Sequence, residues 1–165
     1  MSLYLDNAAT TPVRPEVVQA MAPYLTRWFG NPSSHHEVGE AAASALEDAR
    51  ARVASILGMR SGDIVFTSGG TESNNAAIKG IVLGSLPRGR THLVTTAIEH
   101  ESVLASADYL ARLHGVDLTF APVDETGTLA PAALADAIRD DTALVSVGYA
   151  NNEIGTVQDL SLIHI

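Results

Sequence analysis

The sequence predicts an α/β fold built around a mostly parallel β-sheet. Short segments rich in β-branched and apolar residues alternate with longer helical ones, which is the order that successive βαβ units produce. The first such segment is followed by a pair of glycines, Gly69 and Gly70, where a helical stretch begins. Strands are predicted at residues 63–67, 91–97, 117–122 and 143–149.

Helices are predicted where apolar residues recur every three or four positions. Pro15 suits the first turn of a helix that reaches about Trp28. A long amphipathic helix is predicted between His36 and Leu57, with a C-terminal stop at Gly58. Further helices are predicted at residues 75–83, from Ser102 to His114, and after Pro131.

The composition excludes several classes of function. A chain of 165 residues is long enough for one domain with its own core. A formal net charge of -9 argues against nucleic acid or an anionic membrane as a partner, because both need clustered basic side chains. The sequence contains no cysteine, so it has no disulfide, thiolate metal site or nucleophilic thiol. It has no membrane-spanning apolar run and no secretory signal pattern, so we expect a soluble cytoplasmic protein.

The turn between the first predicted strand and the next helix is a candidate phosphate site. It reads Ser-Gly-Gly-Thr-Glu-Ser from Ser68 to Ser73. The first N–H groups of a helix lack intrahelical acceptors and lie at the positive end of its dipole, and glycines let an anion approach closely. The hydroxyls of Ser68, Thr71 and Ser73 offer further donors. The alternative is that the glycines serve only a backbone turn that needs positive φ.

Five segments that occur in one order carry a family resemblance. They are YLDNAATTP from Tyr4, FGNPSS from Phe29, TSGGTESN from Thr67, IEH from Ile98 and NNEIG from Asn151. Together they resemble the N-terminal part of the cysteine desulfurases, which are pyridoxal-phosphate (PLP) enzymes of the class V aminotransferase group. The resemblance extends from about Leu3 to Asp159. It implies part of the fold-type I PLP-dependent transferase large domain, a three-layer α/β/α structure, truncated after the fourth strand.

The resemblance also implies a domain organisation. Residues 1–15 would form an N-terminal segment, and residues 16–159 the N-terminal part of the PLP-binding large domain. Residues 160–165 read Leu-Ser-Leu-Ile-His-Ile and depart from the family, so we interpret them as an atypical tail, a possible artefact of a truncated reading frame. In the family sheet the strand at 63–67 would be separated from the other three by a three-strand gap.

Four residues are candidates for the site. His100 follows a predicted strand and precedes a helix, which puts it at the carboxyl edge of the sheet, where open α/β folds bind ligands. The resemblance implies that His100 stacks on the PLP ring and takes part in proton transfer, that Gly70 and Thr71 bind the phosphate, and that the Asn152 amide binds the phenolic oxygen. The alternatives are a surface histidine at a helix start for His100 and a turn-forming residue for Asn152.

Other parts of the chemistry are not predicted within the chain. Lys79 is its only lysine, and a solvent-facing position on a helix is expected for it. The lysine that binds PLP covalently, the acid that pairs with the pyridine nitrogen and the sulfur-accepting cysteine all belong to family segments beyond Asp159. No metal site is predicted, because Glu40 stands where a zinc helix motif starting at His36 needs a second histidine.

The predicted function is therefore that of a cysteine desulfurase fragment. The full-length relative would remove sulfur from L-cysteine, giving L-alanine and an enzyme persulfide for iron–sulfur cluster assembly. Its partners would be L-cysteine, a sulfur-acceptor or iron–sulfur scaffold protein, and a second copy in a homodimer. The chain alone is expected to be inactive. The alternatives are a selenocysteine lyase, a class V aminotransferase, or a stand-alone phosphate- or nucleotide-binding module, which the missing Gly-x-Gly-x-x-Gly and Gly-x-x-x-x-Gly-Lys patterns disfavour.

Overall fold

The computed structural model describes residues 3–161, within which the chain forms five α-helices and three β-strands. It divides between Phe66 and Thr67 into two compact units. The helices are α1 (Pro15–Thr26), α2 (Glu37–Leu57), α3 (Gly70–Ser85), α4 (Glu101–His114) and α5 (Pro131–Ala137), and the strands are β1 (His92–Thr96), β2 (Asp117–Ala121) and β3 (Thr142–Val145).

The first unit contains α1 and α2, both of which the sequence predicts. Pro15 lies in the first turn of α1. The His36 side chain caps α2 by accepting a hydrogen bond from the Gly39 N–H, and Gly58 ends this helix with φ of 65°. Gly39 is required by close packing, because a Cβ there would overlap the carbonyl oxygen of Ser34.

The predicted strand at residues 63–67 is not formed, so that prediction was wrong. Ser61–Asp63 is a short 3₁₀ turn, and residues 64–67 pair with no strand in the described part of the chain. The Arg50 guanidinium hydrogen-bonds the Ile64 carbonyl and lies over the Phe66 ring, while Val65 is 79% exposed. Apolar composition alone cannot make a strand, because a strand also needs a neighbour to bond with.

The second unit is built on a parallel sheet with the strand order β2-β1-β3. All five residues of the central strand β1 are buried, as expected for a strand covered on both faces. Leu93 packs with residues of α3 and α4, whereas the next residue, Val94, packs with Leu129 and with Leu134 of α5. Helices therefore cover opposite faces of the sheet, and the predicted α/β class with a parallel sheet is confirmed.

The element boundaries differ modestly from the predicted ones. Helix α3 begins at Gly70 rather than Asn75, and β3 ends at Val145, so residues 146–149 form a loop at the carboxyl edge of the sheet. In the predicted tail, Leu160 and Ser161 are helical, and residues 162–165 lie outside the described residues. The proposed division at residues 15 and 159 stays a prediction.

Candidate functional site

Helix α3 begins with backbone N–H groups that have no protein acceptor. Gly69 precedes the helix in an extended conformation and provides no side-chain cap. Within residues 3–161, the N–H groups of Gly70, Thr71 and Glu72 donate to nothing, and the first bond of this turn joins Ser73 N to Gly69 O at 3.1 Å. A Cβ on Gly70 would meet no atom within 4 Å, so the approach to these donors is open.

The side chains around this turn fall into two groups. The Ser68 N–H and hydroxyl both donate to Glu72 Oε2, at 2.7 and 2.6 Å, and the Ser73 hydroxyl lies 2.6 Å from that of Thr67. Those two serines are thus engaged. The Thr71 hydroxyl has no partner among the described residues, so it is the one predicted hydroxyl left available to a ligand. Hydrogen bonds from Ser68 lower the pKa of Glu72, which keeps this carboxylate ionised.

His100 caps the helix that follows β1. Its Nδ1 atom accepts a hydrogen bond from the Ser102 N–H at 3.0 Å and lies 2.8 Å from the Ser102 hydroxyl oxygen. The Asn74 amide donates to the same hydroxyl oxygen at 2.8 Å, which links α3 to the start of α4. The histidine is exposed, whereas Ser102 is buried. His100 is thus an exposed residue at a helix start, as the alternative expects, and its ring is fixed by Ser102, which Asn74 of α3 contacts in turn.

The two asparagines after β3 have different roles. Asn151 makes the turn, because its Oδ1 atom accepts from the N–H groups of Glu153 and Ile154 and its amide donates to Ile98 O. Asn152 is exposed, and within residues 3–161 its amide donates only to the adjacent Glu153 carboxylate, at 3.2 Å. The turn-forming alternative thus applies to Asn151, and the Asn152 amide remains accessible.

A cavity of about 230 Å³ joins these segments at the carboxyl edge of the sheet. His100 and Asn152 both line it, together with Asn74 from α3 and with residues of the loops after β1 and β3. Gly70 and Thr71 do not line the cavity, but Thr71 lies about one helical turn from Asn74 along α3. The structure therefore brings His100 and Asn152 to one cavity, whereas Gly70 and Thr71 lie outside its lining, about one turn nearer the start of α3 than Asn74.

Two side chains missed by sequence reasoning hold the cavity walls in place. Glu99 accepts hydrogen bonds from the Thr96 hydroxyl and from Gly148 N, each at 2.9 Å, and so joins the ends of β1 and β3. Gln158 is 3% exposed, and its side-chain amide accepts from Leu129 N and donates to Gly127 O. The position of Glu99 directly before His100 in the Ile-Glu-His segment is a signal that could have identified it.

Lys79 lies apart from the cavity. It is half-buried, and its Nζ atom lies 4.3 Å from the centroid of the Tyr109 ring on α4. The expectation of a simply solvent-facing lysine was therefore incomplete, because a cation–π contact covers the side chain. Within residues 3–161, the lining of the cavity does not include Lys79.

Neither a metal centre nor a membrane-spanning helix is found among the described residues. Across the described part of the chain, no group of three or more acidic or histidine side chains is arranged to hold a metal ion. None of the helices in residues 3–161 combines the length and apolar character that a bilayer crossing needs.

Comparison with known proteins identifies the family. The family model for class-V aminotransferases, "Aminotransferase class-V", matches residues 3–164, nearly the whole sequence. The chain belongs to the class-V aminotransferase family. The resemblance that the five sequence segments carry is thereby confirmed.

Curated relatives that match the chain are named as cysteine desulfurases. The chain is 50% identical over 159 residues to "Cysteine desulfurase IscS" of Methanosarcina thermophila, covering 96% of this chain and 39% of that protein. It is 46% identical over 161 residues to the enzyme of the same name from Rickettsia akari, covering 97% of this chain and 39% of that protein. The chain thus spans about two fifths of the length of the curated relatives it matches.

Two solved structures share the fold. A "NifS-like protein" superposes with a TM-score of 0.92 at 37% identity, covering 99% of this chain and 45% of that one. "SspA in complex with cysteine" superposes with a TM-score of 0.91 at 39% identity, covering 98% of this chain and 46% of that one. Both likenesses confirm the predicted fold class, with this chain corresponding to less than half of each neighbour.

Proposed function

We propose that the chain is the N-terminal part of a PLP-dependent cysteine desulfurase. The full-length protein would remove sulfur from L-cysteine, releasing L-alanine and leaving a persulfide on the enzyme for iron–sulfur cluster assembly. The names of the similar proteins support this activity over that of a selenocysteine lyase or an aminotransferase of the same family. No feature of the site favours the stand-alone phosphate- or nucleotide-binding module.

One observation carries the proposal. The first turn of α3 presents the free N–H groups of Gly70 and Thr71 and the free Thr71 hydroxyl, within about one helical turn of a cavity lined by His100 and Asn152. A phosphate ester needs such donors, and the polar side chains of His100 and Asn152 would be available to an aromatic ring that carries the phosphate. The residues present therefore fit PLP.

The roles that we propose for the four residues are those that the family resemblance implies, and the chemistry of each residue fits its role. Gly70 N–H, Thr71 N–H and the Thr71 hydroxyl would bind the phosphate. His100 would stack on the pyridine ring, and the Asn152 amide would donate a hydrogen bond to the phenolic oxygen. PLP, when bound, supplies an electron sink for bonds broken at the substrate α-carbon. The chain's own contribution is to hold and orient the group at the carboxyl edge of the sheet.

The composition limits what these 165 residues can do alone. They include no cysteine to accept sulfur, and Lys79 is held over Tyr109 rather than at the cavity. We therefore propose that the isolated chain has no desulfurase activity and that other residues of the full-length protein supply the lysine and the cysteine. As the family resemblance implies, the full-length protein would act in the cytoplasm as a homodimer and pass sulfur to an acceptor or iron–sulfur scaffold protein.

The test is an activity assay of the full-length protein with L-cysteine. We expect alanine in excess of a PLP-only control, because free PLP reacts with amines by itself, and we expect His100→Ala to lower turnover. The 165-residue chain should not exceed that control. Formation of a keto acid instead of alanine would indicate an aminotransferase, and activity with selenocysteine but not with cysteine would indicate a selenocysteine lyase. Either result would overturn the proposed function.

A further inference from the structure

The Nδ1 atom of His100 faces two hydrogen-bond donors. The Ser102 backbone N–H, at 3.0 Å, can only donate, so Nδ1 must present its lone pair to it. The Ser102 hydroxyl oxygen accepts from the Asn74 amide, at 2.8 Å, and its own proton is then available to Nδ1, also at 2.8 Å. If Nδ1 carried the proton, its N–H would face the Ser102 backbone N–H, and two donors would point at each other.

The opposite ring nitrogen is in a different situation. In a neutral imidazole one nitrogen carries the proton and the other carries the lone pair, and the partners of one nitrogen fix the state of the other. With Nδ1 as acceptor, Nε2 carries the proton. The Nε2 atom has no partner within residues 3–161, and His100 is one of the residues that line the cavity.

We propose that Ser102 and Asn74 are positioning residues that hold His100 as the Nε2–H tautomer. In this arrangement the Nδ1 lone pair is bonded to the two Ser102 donors, and His100 offers its Nε2–H group as a hydrogen-bond donor. Asn74 fixes the direction of the Ser102 hydroxyl, and Ser102 fixes the tautomer. This inference rests on the proposed function, because it specifies how His100 acts in the same site.

The arrangement also joins the two halves of the site. Asn74 lies on α3, about one turn from the donors of Thr71, and Ser102 lies in the first turn of α4. Ser102 is 6% exposed, so water does not compete freely for its hydroxyl. The orientation of His100 is thus set by the same helix whose start presents the free N–H groups.

The test is nitrogen NMR of the full-length protein labelled with ¹⁵N-histidine. The His100 signals are assigned by their absence in His100→Gln, and long-range ¹H–¹⁵N correlations at alkaline pH report which ring nitrogen carries the proton. We expect the Nε2–H pattern for the parent. Ser102→Ala removes one of the two donors to Nδ1 and should change the tautomer ratio about fivefold, while Ser102→Thr, which keeps a hydroxyl, should restore the ratio. Asn74→Ala should shift it in the same direction by less.

Ser106→Ala is the matched control. Ser106 is buried one turn further along α4, and its hydroxyl donates to Ser102 O rather than to His100. A parent His100 protonated at Nδ1, or a Ser102→Ala spectrum that matches the Ser106→Ala spectrum, would overturn the inference. The measurement needs no turnover, so a protein with the expected tautomer but no desulfurase activity would refute the proposed function alone.

Discussion

The sharpest test of the phosphate site is removal of the Thr71 hydroxyl. This hydroxyl has no partner in the described part of the protein, so Thr71→Ala leaves no protein group unpaired. Alanine also suits a first helical turn. The free energy of unfolding without cofactor should therefore stay within about 0.5 kcal/mol of the parent value.

The effect on the cofactor should be much larger. A hydrogen bond to a charged group contributes about 1.5–3 kcal/mol, which corresponds to roughly 10- to 150-fold in the dissociation constant. Because the N–H groups of Gly70 and Thr71 remain in the variant, binding should be weakened rather than abolished. PLP affinity of the full-length protein can be measured by absorbance after dialysis against decreasing cofactor concentrations.

Ser73→Ala provides a matched control for this measurement. The Ser73 hydroxyl lies one helical position beyond the free donors and is paired with the Thr67 hydroxyl at 2.6 Å. Its removal should leave PLP affinity unchanged and affect only stability. If Thr71→Ala retains PLP as well as the parent does, or if both variants lose it equally, then the assignment of Thr71 to the phosphate is refuted.

Two further predictions concern the two units of the chain. His92 is fully buried in β1 between the Thr119 and Thr142 hydroxyls, at 2.8 Å each, and burial, with a smaller effect from Arg139, lowers its pKa below the ordinary value of about 6.5. The unfolded chain then binds the proton more readily than the folded one, so the free energy of unfolding should be highest above pH 6.5 and fall as the pH drops below it. Urea unfolding between pH 8 and 5 should show this slope. An undiminished slope in His92→Gln would contradict the assignment. In the first unit, Gly39→Ala should lower the free energy of unfolding by about 1–3 kcal/mol, because its Cβ would overlap Ser34 O. Gly62→Ala, whose Cβ would have nothing within 4 Å, should be nearly neutral in thermal unfolding. Equal effects of the two substitutions would contradict the packing argument.

Local sequence signals predicted most of the secondary structure. The spacing of apolar residues and the stop at Gly58 predicted α2, and the buried run that contains β1 was equally clear. The strand expected at residues 63–67 did not form. A strand depends on a partner strand, and no local pattern reveals whether a partner is present. Ile64 instead bonds to Arg50 through its carbonyl group.

The candidate site stays a prediction. Glycines before a helix and a histidine after a strand are local patterns that drew attention to Gly70, Thr71 and His100, but the family resemblance supplied their roles. The contact between Asn74 and Ser102 joins residues 28 positions apart, so no spacing rule could find it. Asn151 and Asn152 show the limit most clearly: composition could not say which of two adjacent amides makes the turn and which stays accessible, because their hydrogen bonds depend on the loop after β3.

The start of α3 contrasts with the starts of the two neighbouring long helices. A histidine side chain caps α2 and another caps α4, each accepting from a backbone N–H of the first turn. Helix α3 has Gly69 at the equivalent position, where a serine or aspartate would stabilise the helix by only a few tenths of a kcal/mol more than glycine does. Such a side chain would also occupy a donor that a phosphate needs. Glu72 stabilises this turn from outside instead, by bonding Ser68 and leaving the N–H groups of Gly70 and Thr71 free. The start of α3 is thus stabilised while its N–H groups keep no acceptor within residues 3–161, which supports the proposed phosphate role of this turn.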